Sequence, residues 1–234
     1  SSRMGTGVRI PERVAAISVG VLWGKKHRDP QPEMLPVTEV GIAIVQSGEV
    51  VERINLGSAD LLGAADRLLE LDLPLLTYNA LRFDWLALGG LVDVAGLIPR
   101  TIDIYSALLP CVSDIVEAEG TSGFPLRGDY GVLNPYRIAE TNLGFMPGGS
   151  DDSIGDAELA AELWAHLLVH ERAVIAGRTH GLSETSLELL RGDSPVFESH
   201  DQWREMVSNR PEPKPYRRRK RHQVTFPGID QRYV

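Results

Sequence analysis

One cysteine, Cys111, stands in a chain of 234 residues. That excludes an internal disulfide framework and any zinc site built on cysteines within the chain. It also predicts a reducing, intracellular setting, cytoplasmic or nucleoid-associated. No apolar run reaches the roughly 18 residues that a membrane span begins to need, so no membrane-embedded segment is expected. The opening stretch, Ser1–Val14, contains no apolar core of the kind a signal peptide carries. There is no glycine-rich phosphate loop and no internal repeat. Two Arg-Gly-Asp triplets, Arg127–Asp129 and Arg191–Asp193, are read as chance.

Charge is present in both signs but is not evenly spread. The total is −8. From Lys214 to Val234, seven basic residues face only Asp230, a net +6, which leaves −14 on the rest of the chain. An acidic body with a basic tail implies a partner for that tail: nucleic acid, an acidic protein surface, or the body itself. Hydrophobic residues make up 43% of the chain, enough to build a sizeable core.

Val14–Leu22 is short, β-branched and almost wholly apolar, the pattern of a central strand covered on both faces. A polar loop with prolines, Gly24–Pro36, follows. Val37–Val45 and Glu49–Leu56 flank Gln46-Ser47-Gly48, which predicts an antiparallel hairpin. Ser58 is positioned to cap a helix through Leu71. Leu73–Tyr78 predicts a strand, Phe83–Leu88 a helix and Arg100–Tyr105 another strand. A helix interrupted near Pro110 comes next, then a short one that stops at Gly144. The strongest helical pattern starts at Asp156 and carries Leu159, Leu163, Leu167 and Ile175 on one side, with Gly177 as its expected end. Ser183 is expected to cap a last short helix. Beyond Arg191 the apolar periodicity fades. The organisation expected is a flexible N-terminus over 1–12, a domain over 13–190 and an extended basic arm over 191–234.

A hairpin-led sheet of about five strands with helices added afterwards is a mixed α/β arrangement, not a doubly wound dinucleotide-binding order. Two motifs sharpen it. Asn79-Ala-Leu-Arg-Phe-Asp84 follows the fourth strand, and Asp156-Ala-Glu-Leu-Ala-Ala-Glu-Leu-Trp164 opens the long helix. In this order, with Ile102–Leu109 and Arg137–Gly144 between them, the chain resembles the ribonuclease H-like 3′–5′ exonucleases of the DEDD group, over Val14 to Ile175. The resemblance implies an α/β fold with a mixed sheet flanked by helices. It also implies a site in which four carboxylates hold two divalent ions, Mg2+ or Mn2+, about 3.5–4 Å apart astride the scissile phosphate. Asp84 matches the third acid, with Asn79 and Phe83 as its supporting neighbours, and Asp156 matches the fourth.

The rest of the family pattern is missing. An Asp-x-Glu pair is expected on the first strand, where this chain has Ser18 and Gly20. The position for a His five residues before the fourth acid, or a Tyr four before, holds Asp151 and Asp152. Glu39 on the neighbouring strand, and Asp151 and Asp152 near Asp156, are the acids available to fill in, but Glu39, at a strand start, is read as facing solvent. Asp84 and Asp156 also have an ordinary reading, as acids that cap helix starts and complement the dipole. Asp103 is read as a strand-end residue, His166 and His170 as helix-surface histidines, and Trp85 and Trp164 as core.

In the arm, Lys214, Arg217, Arg218, Arg219, Lys220 and Arg221 form a phosphate-neutralising run, with Tyr216 and Phe226 beside it as stacking side chains. The expectation is a nucleic-acid-associated protein on an exonuclease-like fold, catalytically impaired or a structural subunit of a larger assembly, with DNA or RNA held by the arm. An active exonuclease using Mg2+ or Mn2+ is the alternative, so whether the chain is an enzyme stays open. A protein-interaction module that reuses the fold is the second alternative.

Overall fold

Alternation along the first two strands decides which residues meet which layer. The computed structural model describes residues 10–22, 31–119, 124, 131–144 and 152–211. Strand β1 (Arg13–Val21) pairs antiparallel with β2 (Val37–Gln46), which pairs antiparallel with β3 (Glu49–Leu56). The β2–β3 turn takes positive φ at Ser47 and Gly48, as a two-residue hairpin with right-handed strand twist requires. A 3-10 turn at Leu61–Gly63 leads into α1 (Ala64–Glu70), which starts without a side-chain cap, so Ser58 does not serve as one. Next come β4 (Leu75–Thr77), α2 (Asp84–Gly89) and β5 (Thr101–Asp103). β4 runs parallel to β1, and β5 parallel to β4, giving the sheet order β3-β2-β1-β4-β5. This is the mixed sheet flanked by helices that the sequence resemblance implies.

The remaining elements are α3 (Ile104–Glu119), kinked at Val112 just after Pro110; α4 (Pro135–Leu143), closed by left-handed Gly144; and α5 (Ser153–His170). α5 stops earlier than its apolar periodicity suggests. Glu171 turns left-handed, and β6 (Arg172–Ile175) and β7 (Arg178–Gly181) form a second hairpin about Ala176 and Gly177, both at positive φ. Ala-Val-Ile ahead of a two-residue turn favours strand over helix, and Ile175 reaches the core from that strand. α6 (Glu184–Arg191) is capped by Ser183, which accepts from the Ser186 N–H.

Past Arg191 the chain does not extend directly into an arm. α7 (His200–Ser208) follows and docks by Trp203, which is 4% exposed and donates its indole N–H to the Leu81 carbonyl at 2.7 Å. Arg210 then holds Glu33 with two nitrogens, at 2.6 and 3.1 Å. Lys214–Val234, Asp151 and the N-terminal residues 1–9 lie outside the described residues. Among the described residues, no helix is long and apolar enough to cross a membrane.

The sheet carries a core on each face. Ala15, Ile17, Val19, Val40, Ile42 and Leu75 pack beneath α1 and α2, where Trp85 is buried and bonded to Thr101 at 2.9 Å. Val14, Ala16, Ala43, Val45 and Leu76 pack beneath α3 and α5, where Trp164 is buried and donates to the Leu190 carbonyl at 2.6 Å. On this second face β1 and β2 carry mostly small residues: Ala16, Ser18, Gly20, Gly41, Ala43. α5 uses the space. A Cβ on Gly41 would lie 2.3–2.6 Å from the backbone of Ser153 and Ile154, and a Cβ on Gly20 would lie 2.6 Å from the Ser153 hydroxyl and 2.8 Å from Glu39. The helix therefore begins with its backbone against the sheet backbone.

Gly41→Ala forces α5 off this seat and is expected to destabilise the fold by about 2–4 kcal/mol, above the usual overpacking range because the obstruction is backbone. Gly63→Ala, where nothing lies within 4 Å, is the control and should be neutral or slightly stabilising. Denaturant midpoints read both, and equal midpoints for the two variants would remove the seat from the account.

Candidate functional site

β4 delivers its chain into the turn Asn79–Phe83, which closes on itself: the Arg82 and Phe83 amides donate to the Asn79 carbonyl, and the Trp85 amide donates to that of Ala80. The turn is braced from below. Arg82 is buried, donates to the Ser106 hydroxyl at 2.9 Å, lies 3.8 Å from the Asp103 carboxylate and sits 5.5 Å from the centre of the Tyr105 ring. Asp103, 0% exposed at the end of β5, accepts from Thr77 at 3.0 Å and from the Ser106 hydroxyl and amide at 2.6 and 3.1 Å. Burial lowers the Arg82 pKa and raises that of Asp103, while their mutual attraction opposes both shifts. Asp103 is thus a strand-end residue, as expected, and also the anion beneath the turn.

Asp84 emerges at the first position of α2 but caps nothing there. Its Oδ1 accepts the Val19 N–H at 2.9 Å. β4 ends at Thr77, so on that side β1 runs on without a strand neighbour, and the carboxylate takes the amide instead. Enclosure pushes the Asp84 carboxyl up to about 7; the charges of Asp103 and Asp156 add to the effect and the Val19 amide opposes it.

The opposite wall comes from α5. Asp152 caps this helix, accepting from the Gly155 N–H at 2.8 Å. Asp156 is one turn further in and accepts the Tyr136 hydroxyl at 2.6 Å. Neither Asp84 nor Asp156 is the N-cap of its helix, a role Asp152 takes on α5, but both stand in the first turn, where a carboxylate complements the dipole. Tyr136 is placed by the start of α4, where Asn134 accepts from the Tyr136 and Arg137 amides ahead of Pro135. Glu39 does not face open solvent. One oxygen accepts the Ser153 amide and hydroxyl at 3.1 and 3.0 Å, and the other accepts the Asn55 side chain at 2.9 Å. These bonds, Asn55 first, hold Glu39 below the ordinary carboxylate range.

The walls enclose a cleft of about 360 Å3 lined by Glu39, Asp84, Asp152 and Asp156, by Tyr78, Phe83 and Tyr136, and by Ser18 and Gly20 on its floor. The structure thus brings together Asp84, Asp156, Asn79 and Phe83. It also adds Tyr136, which spacing did not reveal, and Glu39, which the sequence offered only as a stand-in acid read as facing solvent. Tyr136 lies 20 residues before Asp156 on a different helix, and only the Asn-Pro helix start in Asn134-Pro135-Tyr136 could have drawn attention to it. His166 and His170 lie apart from the cleft lining, their rings 4.2 Å apart near the end of α5. Among the described residues no group of three or more His, Cys, Asp or Glu is placed to hold a metal ion together.

Folded Asp84 holds its proton more tightly than the unfolded chain does, so between about pH 4 and 7 only the native state carries it. That stabilisation is complete at the acid end and is lost as the pH rises through 7. The stability difference between wild type and Asp84→Asn should move against wild type by on the order of 1–2 kcal/mol from pH 4.5 to 8, after allowance for water in the open cleft. Urea titrations at both ends of the range read it, and a difference independent of pH would refute the raised value.

No protein-family model matches the chain, and no curated protein matches it. Among solved structures it is similar to a 3′-exonuclease described for 3′-end specific recognition of a histone mRNA stem-loop, at 11% identity, with 75% of this chain and 92% of that one covered and a TM-score of 0.46.

Proposed function

We propose that this chain is a nucleic-acid-associated protein that keeps the exonuclease-like fold, has lost the two-metal centre, and contacts DNA or RNA through Lys214, Arg217, Arg218, Arg219, Lys220 and Arg221. The observation that carries the reading is the floor of the cleft. A two-metal centre needs acids from the central strand to bridge its ions. Here Ser18 and Gly20 stand at those places, and the volume a side chain at Gly20 would need is taken by Ser153 and Glu39. Glu39 is a poor replacement ligand, because both its oxygens already serve Ser153 and Asn55. The residues present therefore do not fit the paired-ion site that the fold resemblance implies.

One observation favours an active metal-dependent exonuclease instead: Asp84, Asp156 and Glu39 share a cleft with a phenol bonded to Asp156. An assay separates the two. With end-labelled single strands and Mg2+ or Mn2+, shortening is expected to stay at the level of a protein-free blank. Cleavage that Asp84→Ala abolishes would overturn the proposal.

The arm makes a second, independent prediction. Removing residues 212–234 should weaken binding to single strands and reduce the slope of log affinity against log salt by up to about 4, from six phosphate neutralisations at roughly 0.7 each. Unchanged affinity and slope would take the arm out of nucleic-acid contact.

A further inference from the structure

The end of α5 carries a histidine pair that the cleft does not use. His166 and His170 are four residues apart on the helix, so both rings leave the same face. Their ring centres lie 4.2 Å apart, with the planes tilted by 44°. Two imidazoles that bind one ion through nitrogens at about 2.0–2.1 Å, in neighbouring coordination positions, hold their ring centres about 4.5 Å apart. The observed spacing is close to that. The backbone beneath the rings is fixed, because Leu163, Trp164, Leu167 and Leu168 are all buried. His170 is exposed and His166 half-buried, so an ion can reach them. Among the described residues neither ring has a hydrogen-bond or ion-pair partner, so none of these bonds must break for an ion to enter.

The surroundings favour a metal ion over an anion. The carbonyl end of α5 attracts positive charge. Burial holds His166 below the ordinary imidazole range, and the charges of His170 and Arg172 add to the effect. A neutral imidazole is a ligand for borderline metal ions and a weak partner for a phosphate. Arg172, exposed at the start of β6, is the one named neighbour that opposes a cation. Ten residues of helix, about 15 Å, separate His166 from Asp156, so the pair is distinct from the carboxylate cleft.

We propose that His166 and His170 together bind one divalent transition-metal ion of the zinc type on a single chain, with water completing its coordination. Two protein ligands agree with the absence of any larger ligand group among the described residues. The ion joins the last two turns of α5 and stabilises the folded chain by mass action.

Titration calorimetry of the full chain with Zn2+, in a non-coordinating buffer at about pH 7.5, tests the site. The tightest step should take one ion per chain. His166→Ala or His170→Ala should weaken that step at least about tenfold, and the double variant little further, because a chelate is lost with its first ring. His200→Ala, on α7, should change it less than about twofold. Arg172→Gln should tighten it about two- to fivefold by removing a like charge. The imidazole nitrogen signals of His166 and His170 should shift together in NMR spectra as zinc is added. Zinc should also raise the urea midpoint of the wild type more than that of either single variant, while equal midpoints without zinc show that the variants fold.

Zinc affinity unchanged in both single variants, or two losses that simply add, overturns the chelate. Half an ion per chain overturns a site confined to one chain. Inorganic phosphate bound in place of zinc, and lost in Arg172→Gln, makes the cluster an anion site and sinks the proposal.

Discussion

The close approach of α5 to the sheet at Gly41 and Gly20 is the constraint on which the rest of the cleft depends. Helix backbone meets sheet backbone with no side chain between them, which only glycine permits at Gly41. This seat sets the height of the first turn of α5, and with it the positions of Asp152, Ser153 and Asp156. Glu39 then locks the seat, receiving the first amide and hydroxyl of the helix, a charge-assisted pair of bonds at a helix N-terminus. The small residues at 16, 18, 20, 41 and 43 are thus a packing requirement. A side chain at position 20 would meet the Ser153 hydroxyl and the Glu39 side chain, so any residue larger than glycine there requires those side chains to move.

The other wall is built independently, and β1 joins the two. Asp84 is presented by a turn that rests on the buried Arg82–Asp103 pair, and the hydroxyls of Thr77 and Ser106 satisfy the carboxylate so that the charge can stay inside. Removing one member of such a pair commonly costs about 3–5 kcal/mol, because the other is left charged and buried. β1 reaches Asp84 with a backbone amide and reaches α5 with the absence of side chains. Both walls are thus held to one strand, by a hydrogen bond on one side and by close packing on the other.

What the sequence reveals of this follows from how local each feature is. Ser47-Gly48 between two alternating runs, the apolar β1, and Gly144 after α4 are all decided within a few residues, and each is where its pattern places it. Asp84 and Asp156 were legible as partners because each sits at a fixed step from a strand end or helix start. Glu39 was not. Near a strand start an acid reads as solvent-facing, and only the arrival of α5 from 114 residues away turns it into a helix anchor. Tyr136 is hidden for the same reason. The end of α5 misleads because Ala173 and Ile175 satisfy a helical stripe and a buried strand equally, and the left-handed Glu171 that separates the readings has no sequence signature. α7 is seated by Trp203 with Met206 and Val207 partly buried beside it, in an otherwise polar stretch, too little for periodicity to register.

Electrostatics carries the last step. In a two-metal nuclease the cations reverse the sign of an acidic cleft, and that reversal lets a phosphate approach. Here Asp84 accepts from Val19, Asp156 from Tyr136, and Glu39 from Ser153 and Asn55, neutral donors that satisfy hydrogen bonds without changing the charge. The four carboxylates among the described lining residues, by themselves, oppose the approach of a phosphate.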